Sequence, residues 1–212
     1  MSDADSLFEL LRSVADPEIA AAIETLVRTG SDRALCRVNV LTFAAENGFD
    51  EEATIGAFVH AASLGLFDMS GNILCPGCGG VLDSNASLGT VVKDEYVCAL
   101  CAAEYTPTLD ELVEVTFTVG PRIRRIAAHD PDQLPLRDYL LQLYWGSGVD
   151  IRDDRFDAQL ESILIDTLEL AAGEKGALSV QLPAGFIIVF EVVTHSVQFI
   201  DVKGEPTRDR QA

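Results

Sequence analysis

Basic residues are scarce in this sequence. Fifteen Lys and Arg residues stand against 34 Asp and Glu residues, which gives a formal net charge of −19. The excess of acid holds in each of the segments 1–70, 71–119 and 120–212. Proteins that bind nucleic acids depend on Lys and Arg to neutralise phosphates. The charge balance therefore argues against a nucleic-acid partner and predicts repulsion from anionic surfaces.

Long apolar runs are also missing. No window approaches eighteen uninterrupted apolar residues, so a membrane-spanning helix is not expected. The N-terminal residues Met-Ser-Asp-Ala-Asp are acidic, whereas a signal peptide begins with a basic region. Paired cysteines in such a chain are typical of a reducing compartment. These features predict a cytoplasmic protein without a membrane partner.

Recognisable catalytic motifs are absent as well. The sequence has no Gly-x-Gly-x-x-Gly, no P-loop, no Gly-x-Ser-x-Gly and no His-Glu-x-x-His. Its three histidines, His60, His129 and His195, lie far apart, and acidic pairs such as Asp153–Asp154 arise by chance among so many carboxylates. We therefore predict no catalytic residue and no enzyme. An enzyme whose catalytic groups converge from distant positions is the open alternative.

Four of the five cysteines form two matched pairs. Cys-Pro-Gly-Cys is followed after nineteen residues by Cys-Ala-Leu-Cys. This spacing is typical of a zinc ribbon, in which four thiolates form a tetrahedral shell around one Zn²⁺. A filled four-cysteine shell has no open coordination position, so the zinc is expected to be structural. The predicted metal ligands are Cys75, Cys78, Cys98 and Cys101.

The residues around the pairs fit a metal knuckle. Gly77 and the Gly79–Gly80 pair provide the backbone freedom that such a turn needs. Short strands are predicted to enter the two knuckles at Asn72–Leu74 and Glu95–Val97. A redox role for unligated cysteines is the alternative, but a thioredoxin-like site uses one pair in a βαβ pattern. The fifth cysteine, Cys36, is expected to be a buried apolar residue.

The pattern before the cysteines predicts an α+β protein that begins with a winged-helix-like unit. Helices are expected from the capping box Ser6–Glu9, from Asp16–Pro17, over Val38–Glu46 and over Glu51–Leu64. A strand then leads into the first cysteine pair. The predicted buried positions are Leu7, Leu10, Leu11 and Val14 in the first helix and Ile55, Phe58, Val59 and Ala62 in the fourth.

The pattern after the cysteines predicts one helix, Leu136–Trp145, and a C-terminal antiparallel β sandwich or barrel-like domain. Its strands are expected at Glu111–Val119, Ile163–Leu170, Ala177–Leu182, Phe186–Val193 and Val197–Val202. The predicted domains are thus 1–70, winged-helix-like; 71–108, zinc ribbon; and 109–203, β-rich with one helix. Residues 204–212 are predicted to be a disordered tail.

Two features bear on partners. The fourth predicted helix begins with Glu51 and Glu52 and contains no Lys or Arg, whereas a DNA recognition helix needs such donors. Arg122, Arg124 and Arg125 form the one basic cluster. They are expected to pair with nearby acids or, alternatively, to dock an acidic neighbour.

Three stretches together resemble one family. They are the run from Ile55 to Met69 leading into Cys75-Pro-Gly-Cys78, the pair Cys98–Cys101 followed by Leu109–Val119, and the stretch from Leu168 to Gly185. This resembles the uncharacterised N-terminal region that precedes class III adenylate/guanylate cyclase domains in many bacteria. The resemblance implies that the protein is an input or regulatory module and that its four paired cysteines are zinc ligands. Cyclase activity is not expected, because the sequence ends at Ala212 without a cyclase domain.

Three hypotheses follow from the sequence. The first is a non-enzymatic regulatory or protein-interaction module with a structural zinc, whose partner is a nucleotide cyclase or another signalling protein. The second is a DNA-binding, transcription-related protein built from a winged helix and a zinc ribbon. The third is a small-ligand sensor whose pocket is walled by Tyr139, Tyr144, Trp145 and Phe186. The sequence does not determine the oligomeric state.

Overall fold

The computed structural model describes the chain in two compact units, Met1–Asp150 and Ile151–Ala212. The described residues are 3–85, 96–98, 100–101, 103–105, 113–145, 149, 151, 153–171, 173–191, 196–203 and 210–211. They mix helices and strands, in agreement with the α+β prediction. The boundary after Asp150 falls within the predicted domain 109–203.

The first unit begins with five helices. They are α1 (Asp3–Val14), α2 (Pro17–Thr29), α3 (Asp32–Leu35), α4 (Val40–Asn47) and α5 (Glu51–Ser63). Acidic N-caps begin two of them as predicted, since the Asp16 carboxylate accepts from Glu18 N and the Asp50 carboxylate accepts from Ala53 N. Gly48 ends α4 in the left-handed conformation, with a φ of 70°. Local capping chemistry thus correctly predicts the starts of α2 and α5. The capping-box prediction is wrong, because Ser6 lies inside α1, and the helix predicted from Val38 begins at Val40 after a two-residue strand. The short helix α3 was not predicted.

A four-stranded antiparallel sheet follows the helices. Its strands are β1 (Val38–Asn39), β2 (Phe67–Leu74), β3 (Val81–Asn85) and β6 (Val113–Val119), in the order β1-β6-β2-β3. β6 pairs with β2 along its whole length. The prediction that this strand joins the C-terminal strands is wrong, because Phe117 and Val119 are buried in the core of the first unit instead.

The core of the first unit lies between α5 and the sheet. The Phe58 ring lies 5.2 Å from Phe43, 5.4 Å from Phe67 and 5.3 Å from Phe117, measured between centroids. Such aromatic contacts add to the free energy gained by burying the rings. The buried cluster also includes residues of α1 and α2, among them Phe8, Leu11, Ile19, Ile23 and Val27.

The predicted buried faces of two helices are partly wrong. Ile55 and Val59 are each 44% exposed in α5, where Thr54, Ala57, Phe58 and Ala61 are buried instead. Small buried residues let a helix approach its neighbours closely. A prediction based on the large apolar residues therefore selects the wrong face of the helix as the buried one. In α1, Phe8 and Leu11 are buried while Leu10 and Val14 are exposed.

A buried polar network ties together the strands that lead to the cysteines. The Asn72 amide donates to Thr116 Oγ1 at 2.7 Å, and Ser84 Oγ donates to Asn72 Oδ1 at 2.8 Å. Asn72 and Thr116 are fully buried. Because each buried polar group has a partner, the network fixes the register of β2 against both neighbours instead of destabilising the sheet.

A second hairpin and a helical segment complete the first unit. The hairpin pairs β4 (Tyr96–Cys98) with β5 (Ala103–Tyr105). After two 3₁₀ turns, Ala127–His129 and Pro131–Gln133, helix α6 (Leu136–Tyr139) continues into a π-helical turn, Leu140–Tyr144. This confirms the helix predicted over Leu136–Trp145, with Tyr144 among its buried residues.

Two arginines of the basic cluster are paired within the unit. Arg125 Nη2 donates to Asp130 Oδ2 at 2.6 Å. Arg124 donates to the backbone oxygen of Val27 at 2.8 Å and lies 3.8 Å from Asp32. Their expected pairing with nearby acids is confirmed.

The second unit differs more from its prediction. Helix α7 (Asp153–Ile163) occupies the start, and residues 164–170 have no regular structure where a strand was predicted. A hairpin of β8 (Gly185–Glu191) and β9 (Ser196–Val202) matches two predicted strands. β7 (Leu178–Ser179) pairs with β10 (Arg210–Gln211), so these two tail residues are ordered in a strand pair. The described residues of the second unit thus form two-stranded pairs and no sandwich.

Membrane insertion by a helix is not supported by these elements. Within the described ranges, every helix is too short or too polar to cross a bilayer.

Candidate metal centre

The first cysteine pair is held in a tight turn at the end of β2. The Gly79 N–H donates to Cys75 O at 2.8 Å, and the Cys75 N–H donates to Gly80 O at the same distance. Gly79 has a φ of 70°, a conformation that glycine adopts without strain. The Gly77 N–H lies 3.4 Å from Cys75 Sγ and donates to it. The turn therefore directs backbone donors at the first sulfur.

The second pair has a similar arrangement at the end of β4. The Cys101 N–H donates to Cys98 Sγ at 3.4 Å. Cys75 and Cys98 are buried, while Cys78 and Cys101 are partly exposed. Each pair thus places one sulfur inside the fold and one nearer the surface.

The four sulfurs come together as one cluster. All four Sγ atoms lie within 4.8 Å of one another. Cys75 Sγ is 3.6 Å from Cys101 Sγ, and Cys78 Sγ is 3.7 Å from Cys98 Sγ. A tetrahedron with metal–sulfur bonds of about 2.3 Å has edges of about 3.8 Å. The cluster has the size of a four-thiolate metal site, and the four cysteines could hold a metal ion.

Aromatic residues from the end of the π-helical turn pack against this cluster. The Tyr144 hydroxyl lies 3.3 Å from Cys98 Sγ and 3.7 Å from Cys78 Sγ. Trp145 Nε1 donates to the backbone oxygen of Cys78 at 3.1 Å. The two rings meet edge to face, with centroids 5.0 Å apart. The segment after β6 is thus joined directly to the cysteine cluster.

The thiol pKa values differ across the cluster. Burial raises the pKa of Cys75, but hydrogen bonds from the Cys78 and Gly77 N–H groups and the Tyr105 hydroxyl outweigh it and lower the pKa to about 7. Burial raises the pKa values of Cys78 and Cys101. A coordinated cation deprotonates such thiols and offsets the repulsion among their thiolates. The donor set therefore fits a divalent metal.

Burial also raises the pKa of the Tyr144 phenol, with hydrogen bonding to Cys98 as the next cause. The phenol therefore keeps its proton and can donate it to a thiolate. Donors of this kind orient metal ligands and tune their basicity.

Sequence reasoning found the four cysteines but missed the aromatic contacts. The sequence predicts Tyr144 and Trp145 only as walls of a ligand pocket, together with Tyr139 and Phe186. Tyr139 is buried in the first unit, and Phe186 lies in the second unit, where its ring is 5.6 Å from Phe199. The two adjacent aromatic residues at the end of a predicted helix could have indicated a packing contact. They do not show which part of the protein they pack against. His60 is exposed on α5.

Replacing Gly80 by alanine should disrupt the junction between the cluster and Tyr144. A Cβ atom at residue 80 would overlap the Tyr144 ring. Forcing an extra methyl group into a packed site costs about 1–3 kcal/mol, so the free energy of unfolding should fall by that amount. Chemical denaturation followed by tryptophan fluorescence measures the change.

Gly56→Ala is the matched control for this substitution. A Cβ at Gly56 has no atom within 4 Å, and the residue lies inside α5. Alanine should therefore stabilise the protein by about 0.5–1 kcal/mol. Equal effects of the two substitutions would contradict the packing of Tyr144 on Gly80.

The fifth cysteine should be chemically inert. Cys36 is buried and its thiol donates to Gln142 O at 3.1 Å. Burial raises the pKa of Cys36 to about 11. Because the thiolate is the reactive form, the thiol should not react with Ellman's reagent at pH 8 and should begin to react only as the pH nears 11.

Counting labelled thiols in the native wild-type protein and in Cys36→Ser checks this expectation. The two proteins should give the same number at pH 8 and differ by one thiol only after unfolding. A difference of one in the native proteins would show that Cys36 is accessible.

Comparison with known proteins places the chain in a family. Among curated proteins and among solved structures, none matches it. A family model does match, over residues 1–212. The chain belongs to that family, which is described as a family of unknown function (DUF5939).

Proposed function

We propose that Cys75, Cys78, Cys98 and Cys101 bind one Zn²⁺ with a structural role. The support is the compact cluster of four sulfurs, whose 3.6 and 3.7 Å edges suit a tetrahedral thiolate shell. Four thiolates leave no open position for a substrate or water. The free energy of metal binding would then stabilise the β4–β5 hairpin, whose strands have only three residues each.

The first unit is best interpreted as a winged helix that carries this zinc ribbon inside its wing. The chain runs α2, β1, α4, α5, β2 and later β6, and β6 lies between β1 and β2 in the sheet. That is the order of helices and strands in a winged helix. The cysteine-bearing segment lies between β2 and β6 in the chain, and its first strand, β3, extends the sheet beside β2. The ribbon is therefore proposed to be an insertion between the two wing strands.

The protein is proposed to be a non-enzymatic regulatory module that contacts another protein. One observation carries this proposal: α5, which occupies the place of a DNA recognition helix, exposes Glu51, Glu52, Ile55 and Val59. Two carboxylates at its N-terminus would repel phosphates, and aliphatic residues cannot donate hydrogen bonds to them. Exposed aliphatic residues on a helix are instead suited to contact with protein.

The partner is proposed to be a class III nucleotide cyclase or another signalling protein. The support is the resemblance of the sequence to the region that precedes such cyclase domains. In this role the zinc ribbon would brace the wing, while the helical face makes the contact.

Two measurements on the purified protein test the proposal. Native mass spectrometry should show one zinc per chain and reveal the oligomeric state. Adding the protein to a purified bacterial class III adenylate cyclase catalytic domain should change the rate of cyclic AMP formation several-fold. Cys98→Ser serves as the control that lacks an intact centre.

Three results would contradict the proposal. If the protein folds without any metal, zinc does not have the proposed structural role. Binding of mixed duplex DNA at roughly 50 mM salt, where electrostatic affinity is high, would favour the DNA-binding alternative. Turnover of nucleotides, esters or phosphates by the protein alone would make it an enzyme.

A further inference from the structure

The exposed side of α5 carries two large aliphatic residues close to the carboxylates at its N-terminus. Ile55 and Val59 are four residues apart and therefore neighbours on one helical face. Each is 44% exposed although the same helix buries Ala57 and Ala61. The larger aliphatic side chains thus face outward while small ones face the core.

Two further exposed apolar residues lie in the sheet, on the side on which α5 packs. α5 packs on the sheet through Phe58, whose ring contacts Phe67 and Phe117. Met69 pairs with Phe117 across the strands, so it projects from the same side of the sheet. Val115, two residues before Phe117, also projects there. Met69 is 45% exposed and Val115 is 39% exposed.

The charge around these residues has one sign. Asp50, Glu51, Glu52 and Asp68 are exposed beside them in the sequence. Residues 38–85 contain neither Lys nor Arg. A second copy of this chain would place carboxylates next to carboxylates at this surface, and a nucleic acid would place phosphates next to them. Both arrangements are repulsive. A partner with positive charge would be attracted to it.

We propose that Ile55, Val59, Met69 and Val115 form a docking surface for a cationic amphipathic protein segment. Aliphatic side chains of that segment would cover these four residues, and its Lys and Arg side chains would meet the carboxylates at the start of α5. Recognition of an amphipathic helix by an apolar surface with opposite charge at its edge follows this pattern. The inference rests on the proposed function and specifies the chemistry of the protein partner.

The test uses a fluorescein-labelled, 18-residue amphipathic peptide with leucine on one helical face and lysine on the other. Its affinity for the zinc-loaded full chain is measured by fluorescence anisotropy at 150 mM salt. The double variant Ile55→Ser/Val59→Ser should bind at least tenfold more weakly. Glu51→Gln/Glu52→Gln should also weaken binding and reduce its dependence on salt concentration.

Leu10→Ser/Val14→Ser is the matched control. These residues are 50% and 53% exposed, also lie four apart, and belong to α1. The control should bind the peptide within twofold of the wild type. A peptide of the same composition with its leucines scattered around the helix should bind at least tenfold more weakly than the amphipathic one. Circular dichroism and zinc content should be unchanged in every variant.

Several outcomes would overturn the inference. Equal losses in the α1 and α5 double variants would show non-specific adsorption of the peptide. Self-association that disappears in Ile55→Ser/Val59→Ser, measured by sedimentation velocity, would show that a second copy covers the surface. A wild type that regulates the cyclase domain but ignores the peptide would overturn this inference alone and leave the proposed function intact.

Discussion

Cys98→Ser is expected to lose the proposed zinc and to unfold the β4–β5 hairpin that carries Cys98. Cys98 is fully buried, and its sulfur lies beside Cys78 Sγ and the Tyr144 hydroxyl. A serine hydroxyl is a poor ligand in a thiolate site, and structural zinc contributes on the order of 10 kcal/mol to folding such segments. Zinc content after dialysis against a chelator should fall from one per chain to below about 0.2, because the three remaining cysteines should bind zinc with roughly micromolar or weaker affinity.

The helical part of the first unit should survive this substitution. α1 to α5 share a core with the sheet that contains Phe58, Phe67 and Phe117 and no cluster cysteine. The circular dichroism signal at 222 nm should therefore keep most of its amplitude. Tryptophan fluorescence should shift to longer wavelength, because Trp145 loses its contact with Cys78.

Cys36→Ser provides the matched control, since it removes a buried cysteine that is not in the cluster. It should keep one zinc per chain and an unchanged emission wavelength. Full zinc retention in Cys98→Ser would contradict the ligand assignment. Zinc loss in both variants would show that general destabilisation, and not the loss of a ligand, releases the metal.

The cysteine cluster could be predicted because its information is local. Two residues between paired cysteines set the turn, and the matched pairs indicate one shared site. The contact with Tyr144 and Trp145 could not be predicted in the same way. These residues follow Cys101 by more than forty positions, and only the packing of the whole unit brings them back to the first knuckle.

Strands were predicted more easily than their partners. The alternation in Val113–Val119 correctly indicated a strand, but nothing in that pattern says which strand it pairs with. The pairing with β2 follows from burying Phe117 and Val119 beneath α5, a non-local effect. In the second unit, the helix Asp153–Ile163 was not predicted, although Phe156, Leu160 and Ile163 have the spacing of one helical face.

Among substitutions in the hydrophobic core, Phe58→Ala is expected to lower stability strongly. Phe58 is fully buried and its ring contacts Phe43, Phe67 and Phe117 at centroid distances of 5.2–5.4 Å. Removing a buried phenyl ring costs about 3–5 kcal/mol, a large part of the roughly 5–15 kcal/mol that stabilises a typical domain. The midpoint of thermal unfolding should fall by about 10 °C in calorimetry or in circular dichroism.

Val59→Ala tests the same helix one residue further on. The sequence predicted Phe58 and Val59 to share a buried face, but Val59 is 44% exposed. Its replacement should change the free energy of unfolding by no more than about 0.5 kcal/mol. If both substitutions cost several kcal/mol, α5 would be rotated relative to the described structure, and Ile55 and Val59 would belong to the core. A large cost at Phe58 with little at Val59 would leave the outer face of α5 free for binding, since its apolar residues then contribute little to folding.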